Sequence, residues 1–180
     1  MEQLFNVPGS EEEIIDFMNK KYEEDFSLIK PVSISHVNRL RSVFLHSAKY
    51  PELPVFVIYR NVNGVEECQD GYLHVKYSDV IKQSVNRIID KVFGEKKRFV
   101  FYMPSNYDTT SRFDNETPFS QFANDEDIYI SVDSVVFCDL NSLNIGLIRD
   151  SLECEVKRVG FRLKLTVRVL DESLLPVEIN

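Results

Sequence analysis

The stretch that decides the fold is Asp70–Tyr102, DGYLHVKYSDVIKQSVNRIIDKVFGEKKRFVFY. Its apolar side chains recur at the spacing of a helix with one buried face, namely Tyr77, Ile81, Val85, Ile88 and Val92. Gly94 follows at a position that suits a left-handed helix cap. The apolar run 99–102 then predicts a strand covered on both faces. The stretch therefore predicts a helix that leads into a strand.

The N-terminal segment predicts a second helix followed by a strand. Ser10 and Glu13 have the spacing of a capping box, in which each side chain bonds to the backbone N–H of the other residue. The apolar positions that follow predict a helix from about Glu11 to Tyr22. A strand is expected to begin at Phe26 and to end at Pro31, because proline lacks the N–H that a strand ladder uses.

Strand patterns occupy the segment between these two parts. Residues 40–47 and 54–59 predict a β-hairpin across a turn that contains Pro51. Asn63-Gly64 favours a second tight turn, because both residues tolerate positive φ, and a further strand is expected after Val65. These features predict consecutive antiparallel strands.

The C-terminal third predicts one more helix between two strands. Residues 128–133 alternate between apolar and polar side chains, which is typical of a half-buried strand. Residues 142–159 fit a helix stopped by Gly160, although residues 154–158 also fit a strand. Residues 161–169 alternate again, with one side expected in the core and the other in water.

We therefore predict one α+β domain over residues 1–180. It should contain a mostly antiparallel or mixed sheet of five or six strands, with two main helices packed on one face. The least regular part is an aromatic loop, residues 104–127, in which a short helix is expected to start at Pro118.

The charge balance argues against a nucleic-acid binder. The chain of 180 residues has 21 basic and 29 acidic side chains, which gives a net charge of -8. Nucleic-acid binders normally carry a basic field, because neutralised phosphates supply much of their affinity. Hydrophobic residues make up 43% of the chain, and 13 Phe and 8 Tyr predict an aromatic core. We expect a soluble globular protein without nucleic-acid or general anionic-membrane binding.

Cysteine usage and the N-terminus bear on the compartment. Cys68, Cys138 and Cys154 are odd in number and lack metal-type spacing, so they cannot form a fully paired disulfide set within one chain. We expect reduced, partly buried thiols. The sequence has neither a basic and apolar leader nor a segment as apolar as a membrane span. As written it predicts a cytoplasmic protein, or an extracytoplasmic one if a signal has been removed.

The motifs present predict no cofactor and no metal site. His36, His46 and His74 lack the helical spacing of metal sites, and His74 is expected at the core or its boundary whether its segment is helix or strand. The acidic run 124–127 lacks the pattern of a calcium-binding loop and fits a solvated loop edge. The sequence also lacks phosphate-binding loops, dinucleotide fingerprints, serine-hydrolase elbows and zinc-protease motifs.

Two features are candidate binding surfaces. The aromatic side chains of the loop either cover the core as a packed lid or meet a partner. A basic strip on the last predicted strand either keeps an exposed sheet face soluble and prevents edge pairing, or docks an anionic partner. The candidate binding residues are Tyr107, Phe113, Phe119, Phe122, Arg162, Lys164 and Arg168.

Three segments carry a resemblance: KYEEDF (21–26), LPVFVIY (53–59) and DGYLHVKY (70–77). Together they resemble a loose set of small uncharacterised bacterial α+β proteins, some of them lipoproteins, over the N-terminal half of the chain. The resemblance implies an N-terminal helix, a hairpin and an Asp-x-Tyr approach to a second helix. It implies no catalytic residue. The lipoprotein signal of some members is missing here, which counts against the surface anchoring that those members would imply.

The leading hypothesis is a non-catalytic binding or protein-interaction module, of an accessory or immunity type that neutralises a protein partner. It rests on the missing catalytic motifs, the acidic balance and the aromatic loop. The first alternative is a small enzyme with its site near Cys138 and the loop 104–127, because Cys138 and Asp139 end a predicted strand, where α/β enzymes place nucleophiles. The second is a structural subunit of a larger assembly. The sequence does not determine the oligomeric state.

Overall fold

A computed structural model describes residues 10–35, 40–62, 65–94, 96, 98–102, 108–109, 113–126, 128, 130–171 and 173. The helices are α1 Glu11–Tyr22, α2 Tyr72–Lys76, α3 Ser78–Phe93, α4 Phe119–Ala123 and α5 Ile145–Arg158. The strands are β1 Phe26–Ser35, β2 Leu40–Ser47, β3 Val55–Val62, β4 Val65–Asp70, β5 Arg98–Tyr102, β6 Asp108–Thr109, β7 Ile130–Cys138 and β8 Leu163–Asp171. A 3-10 helix, Leu140–Ser142, precedes α5. The chain divides into two compact units: unit 1 is Met1–Lys76 with Asn106–Phe122, and unit 2 is Tyr77–Ser105 with Ala123–Asn180.

Helix α1 begins and ends where the sequence predicts. The Oγ of Ser10 accepts a hydrogen bond from the N–H of Glu13 (3.1 Å), and the Glu13 carboxylate accepts one from the N–H of Ser10 (2.7 Å). This reciprocal pair satisfies N–H groups that have no partner within the first turn of a helix. Ile14 and Met18 are fully buried. The helix ends at Glu23, which has a left-handed φ of 50°.

Unit 1 contains an antiparallel sheet in the strand order β1-β2-β3-β4-β6. The predicted hairpin is confirmed as β2 and β3, and β4 is the strand expected after Val65. The ring of Phe17 on α1 meets the ring of Tyr59 on β3 edge to face, with 5.9 Å between centroids. The residues fully buried on this side of β2 and β3 are Val43, Leu45, Val55, Val57 and Tyr59. The core of unit 1 therefore lies between α1 and the middle of this sheet. The predicted Asn63-Gly64 turn lies outside the described residues.

The predicted end of the first strand is wrong. The sequence predicts an end at Pro31, whereas β1 continues to Ser35. Among the described strands, β1 pairs only with β2 and is an edge strand, and its register shifts between Leu28 and Lys30 and again after Pro31. Edge strands and bulges both tolerate proline, so Pro31 does not end the strand.

The central stretch contains two helices with a break between them. Helix α2 covers residues 72–76, and α3 begins at Ser78 after Tyr77, whose φ of -100° and ψ of 10° are not helical. His74 lies on α2 and is 1% exposed, with its ring edge to face against the ring of Phe122 at 4.9 Å. The expected core position of His74 is therefore confirmed.

The predicted apolar stripe of the longer helix is confirmed for α3 at its central positions, whereas Tyr77 precedes the helix and Val92 is half-buried. Ile81, Val85 and Ile88 are buried on one side of it. Gly94 follows with a φ of 71°, a conformation that favours glycine, and its N–H donates to the carbonyl of Asp90 at 2.9 Å. The helix therefore ends where the sequence predicts.

Unit 2 contains a three-stranded sheet in the order β5-β7-β8. Strand β5 is antiparallel to β7, and β7 is parallel to β8. Parallel neighbours need a crossover connection, which α5 provides. Helix α3 packs against β5 and against α5. Residues 154–158 belong to α5, so the strand alternative for them is wrong, and Gly160 follows with a φ of 82°.

Residues 99–102 are predicted to form a strand covered on both faces. The strand is confirmed, but the covering of both faces is wrong. The strand exists as β5, but it lies at one edge of the sheet and Phe99 is 49% exposed. An apolar run indicates that a strand forms, but it does not show which face of the strand is buried. The buried face is identified by alternation of apolar and polar residues, and a continuous apolar run has no such alternation.

The predicted α+β class is confirmed. The described residues contain eight strands in two sheets, whereas the sequence predicted one sheet of five or six strands. They also contain the three long helices that the segments predict, α1, α3 and α5, whereas the predicted architecture counted only two main helices. The prediction of one domain over residues 1–180 stays a prediction. Within the described ranges, no helix has the length and apolar character needed to cross a membrane.

Candidate interaction surface

The sheet of unit 2 has one packed face. Burial alternates along β7, and Ile130, Val132 and Val136 are at most 1% exposed. Residues paired in register on neighbouring strands share a face of the sheet. Arg98 of β5 pairs with Val136, and its Nη2 donates to Asp90 of α3 at 3.1 Å. The face that contains these residues is therefore the one that α3 covers.

The opposite face of this sheet is defined by the same register. Successive side chains of a strand point to opposite faces, so the intervening residues point away from α3. We call this surface the open face of unit 2. Its described side chains are Phe99, Ser131, Asp133, Val135, Phe137, Lys164, Thr166, Arg168 and Leu170.

One half of the open face is apolar. Phe99 is 49% exposed and Leu170 is 38% exposed. Val135 and Phe137 lie between them and are half-buried, with Val135 paired to Phe99 and Phe137 paired to Leu170. The rings of Phe99 and Phe137 meet edge to face at 6.0 Å. We call these four residues the apolar cluster. Contiguous exposed apolar surface of this kind commonly marks an interaction site.

The other half of the open face carries charge. Lys164 and Arg168 on β8 are exposed, and Nη2 of Arg168 is 3.7 Å from the carboxylate of Asp133. Arg168 is paired with Val135, so its side chain stands next to the apolar cluster. The described side chains of this face thus include two cations and one carboxylate. Their net charge is positive, whereas the net charge of the whole chain is -8.

The structure brings two of the three predicted basic residues to this face. Arg162 precedes β8 and donates from its guanidinium to the carbonyl oxygen of Glu126 at 2.5 Å. Lys164 and Arg168 are predicted from the sequence, whereas Phe99, Phe137 and Leu170 are not. Alternation along residues 131–137 could have suggested the exposed side of β7. The pairing of β5 with β7 has no local sequence signal.

The predicted aromatic residues of the loop 104–127 divide between different environments. Phe113 and Phe122 are buried in unit 1, and their rings meet edge to face at 5.8 Å. Phe119 is half-buried on α4. Tyr107 lies outside the described residues. Packing accounts for the placement of Phe113 and Phe122, and binding by these aromatic residues stays a prediction.

Hydrogen bonds hold the described part of this loop. The N–H of Asp114 donates to Oγ1 of Thr117, and that hydroxyl donates to the Asp114 carboxylate, both at 3.0 Å. Nζ of Lys76 donates to the carbonyl oxygen of Asn115. The predicted short helix is confirmed as α4, which begins directly after Pro118. Residues 113–122 are therefore a bonded, folded segment of unit 1.

Unit 1 contains a buried glutamate that sequence reasoning missed. Glu24 is 7% exposed, and its carboxylate accepts hydrogen bonds from Oγ of Ser47, from the hydroxyl of Tyr72 and from the N–H of Lys49, the last at 2.9 Å. Burial alone would raise the pKa of Glu24. The three hydrogen bonds and the charge of Lys49 together outweigh burial, so the pKa of Glu24 lies below its usual range.

A second buried carboxylate, Asp70, lies nearby in unit 1. It is 2% exposed and accepts hydrogen bonds from Nζ of Lys21 (2.7 Å), the hydroxyl of Tyr22 (2.8 Å) and the N–H of Tyr72 (3.0 Å). The rings of Tyr22 and Tyr72 also stack, with centroids 4.1 Å apart. Each carboxylate thus accepts three hydrogen bonds, as buried polar groups in folded proteins normally do.

The region of Cys138 contains a cavity of about 280 Å³ at the end of β7. Its described lining is Val92, Phe93, Lys96, Cys138, Leu143, Asn144, Leu147 and Ile148. A nucleophilic cysteine needs an adjacent base and an oxyanion donor. This lining contains neither a histidine nor a carboxylate, and Cys138 is 2% exposed. The cavity therefore gives no support to the enzyme hypothesis.

The described residues contain no group of three or more His, Cys, Asp or Glu side chains that could hold a metal ion. Of the other histidines, His46 is exposed on β2 and His36 lies outside the described residues.

No protein-family model, curated protein or solved structure matches the chain. The resemblance of its N-terminal half to the small bacterial proteins stays a prediction, and the open face of unit 2 is argued from geometry and charge.

Proposed function

We propose that this protein is a non-catalytic interaction module, of an accessory or immunity type, that binds an acidic protein partner through the open face of unit 2. The observation that supports this proposal best is the exposure of Phe99 and Leu170 beside Lys164 and Arg168. An apolar centre with a charged rim is the usual anatomy of a protein interface. The same residues give a metal ion or a small substrate little to bind.

The apolar cluster would supply the affinity of such a contact. Burying a large apolar side chain completely contributes about 1.5–3 kcal/mol, so covering the exposed halves of Phe99 and Leu170 would contribute roughly 1 kcal/mol each. Aromatic residues near the centre of an interface often dominate its energetics. Phe99 is therefore the residue whose loss should weaken binding most.

The basic residues would select the partner. Lys164 and Arg168 give the open face a positive balance, so an acidic partner surface would be attracted and a basic one repelled. Such surface charges act mainly on the association rate and are screened by salt. We therefore expect the binding to weaken as the ionic strength rises.

The experiment starts with capture of partners from an extract of the source organism by tagged protein, followed by identification and purification of each captured protein. Dissociation constants are then measured for wild type, for Phe99→Ser with Leu170→Ser, and for the control Val80→Ser. Val80 is 43% exposed on α3, away from the open face, so it matches Phe99 in exposure.

We expect the double variant to lose at least about tenfold in affinity, the equivalent of about 1.4 kcal/mol, and the control to bind as wild type does. Thermal unfolding checks that all variants are folded. Equal affinity of the double variant and wild type for every captured protein would refute the proposal. The competing outcome is self-association through the apolar cluster, which is expected of a structural subunit. A dimeric mass in light scattering that becomes monomeric in the double variant would favour self-association.

A further inference from the structure

We propose that the edge of β8 opposite β7, with which no other described strand pairs, accepts a β-strand from the partner, and that this strand alternates acidic and apolar residues. The inference rests on the proposed function and specifies the chemistry of the partner. Strand addition to a sheet edge is a common mode of peptide recognition, in which backbone hydrogen bonds give affinity and alternate side chains give specificity.

The edge of β8 is long and regular. All nine residues of β8, Leu163–Asp171, are paired with β7 without a register shift, and no other described strand pairs with β8. The N–H of Ile130 donates to the carbonyl of Arg162 at 3.0 Å. This hydrogen bond shows which alternate residues of β8 bond to β7 in the parallel ladder. Because alternate residues of a strand bond to opposite sides, Leu163, Leu165, Val167 and Val169 direct their N–H and C=O groups away from β7.

The long edge strand of the unit 1 sheet, β1, lacks these properties, and the other edge strand, β6, has only two residues. Strand β1 contains Pro31 and two register shifts, which are devices that keep an edge from pairing with another chain. The other edge of the unit 2 sheet, β5, has only five residues. Among the described strands, β8 therefore offers the longest uninterrupted edge whose backbone groups are arranged to receive another strand.

The two sides of β8 determine the sequence that would fit. Lys164 and Arg168 are exposed on the open face, and residues directly opposite them on an added strand would lie within reach of a cross-strand ion pair. On the other side, Leu165, Val167 and Val169 are half-buried and would pack against apolar side chains. A second copy of β8 would instead bring another lysine and arginine to the same face, so an acidic and apolar strand is the better occupant.

The test uses two synthetic nine-residue peptides and the full-length protein. One peptide alternates Glu and Val, and the matched control alternates Lys and Val. We expect the Glu peptide to bind at least about tenfold more tightly than the Lys peptide at low salt, by calorimetry. In the double variant Lys164→Glu with Arg168→Glu we expect the preference to reverse, because the charge on the open face is reversed.

A backbone measurement separates strand addition from simple charge attraction. In hydrogen exchange, the Glu peptide should slow the amides of Leu165, Val167 and Val169, which are three of the outward donors of β8. Val167→Pro removes one of these donors without removing an N–H from the β7 ladder, and we expect it to weaken peptide binding about tenfold. If Val167→Pro does not fold, a Glu peptide N-methylated at alternate residues removes the partner's donors instead, and it should bind about tenfold more weakly.

Strand addition is overturned if the Glu peptide does not bind. It is also overturned if the peptide binds without slowing these three amides, or if N-methylation leaves the affinity unchanged. The proposed function is judged separately, by the affinity of captured partners for the Phe99→Ser, Leu170→Ser double variant. Loss of partner affinity in that variant together with a failed peptide test would mean that a folded acidic surface covers the open face without pairing to β8.

Discussion

The hydroxyl of Tyr22 donates a hydrogen bond of 2.8 Å to the carboxylate of Asp70, 48 residues further along the chain. The same carboxylate accepts a hydrogen bond from Nζ of Lys21 at 2.7 Å. It thereby joins the last turn of α1 to the end of β4. The side chain of Asp70 is 1% exposed, so water cannot replace a lost partner.

Lys21→Met should therefore destabilise unit 1. It removes the cation next to a buried carboxylate while keeping most of the apolar stem of the side chain. We expect the free energy of unfolding to fall by roughly 2–3 kcal/mol, since Asp70 keeps its bonds from Tyr22 and Tyr72. Urea denaturation measures the change. Lys20→Met is the control, because Lys20 is exposed and should tolerate the same substitution within about 0.5 kcal/mol.

Glu24 should make the stability depend on pH on the acid side. Burial alone would raise its pKa, but hydrogen bonds from Ser47, Tyr72 and Lys49 and the charge of Lys49 outweigh burial, so the pKa of Glu24 in the folded protein lies below its ordinary value in an unfolded chain. The ionised carboxylate therefore stabilises the folded state fully above that unfolded value. This contribution is lost as the pH falls through the lower folded pKa.

Denaturation curves measured from pH 7 to pH 3 test this expectation. In Glu24→Gln, the part of the acid destabilisation that belongs to Glu24 should disappear, so the free energy of unfolding should change less with pH than in wild type. Glu23→Gln removes an exposed carboxylate from the adjacent position and is the matched control. Identical pH slopes for wild type and Glu24→Gln would contradict the assignment.

Glu23→Gly should stabilise the protein. Glu23 has a left-handed φ of 50°, where a residue with a Cβ atom is strained and glycine is not. After subtraction of the entropy that glycine loses on folding, we expect a gain of roughly 0.5 kcal/mol in the free energy of unfolding. Glu23→Ala removes the same side chain but keeps the Cβ atom, so it should give no gain. A gain of equal size in both variants would point to the carboxylate and not to the backbone.

The three thiols should differ in reactivity. Cys154 is exposed, whereas Cys68 and Cys138 are buried. A disulfide reagent added to the native protein should therefore modify one thiol per chain quickly, and three after unfolding in guanidinium. Cys154→Ser should abolish the fast phase. A fast phase that survives in this variant would show that Cys138 or Cys68 is reached from solvent in the folded protein.

The helices follow from local sequence because their determinants are local. Ser10 and Glu13 cap α1 through a three-residue separation, and the stripe of α3 lies within one continuous segment. Positive φ at Gly94 and Gly160 is likewise a property of single residues. The sequence predicted the cap of α1, the central part of the α3 stripe and the glycines that follow α3 and α5.

The division of the strands between two sheets does not follow from local sequence. Strands β5 and β7 are separated by 27 residues, 103–129, and nothing in either strand marks the other as its neighbour. The exposure of Phe99 depends on that pairing, because an apolar residue in an apolar run looks the same whether it is covered or not. The basic half of the open face was predicted, since Lys164 and Arg168 alternate with apolar residues along one strand.

The two units interleave along the chain, and this has a consequence for synthesis on the ribosome. Phe113 and Phe122 complete the core of unit 1, but they are translated after α3 and β5 of unit 2. The first 76 residues therefore leave the ribosome with part of their core missing, and they must wait for a segment that follows the start of the other unit. Premature termination anywhere before residue 113 would yield a nascent chain in which neither unit is complete, a natural substrate for chaperones or proteases.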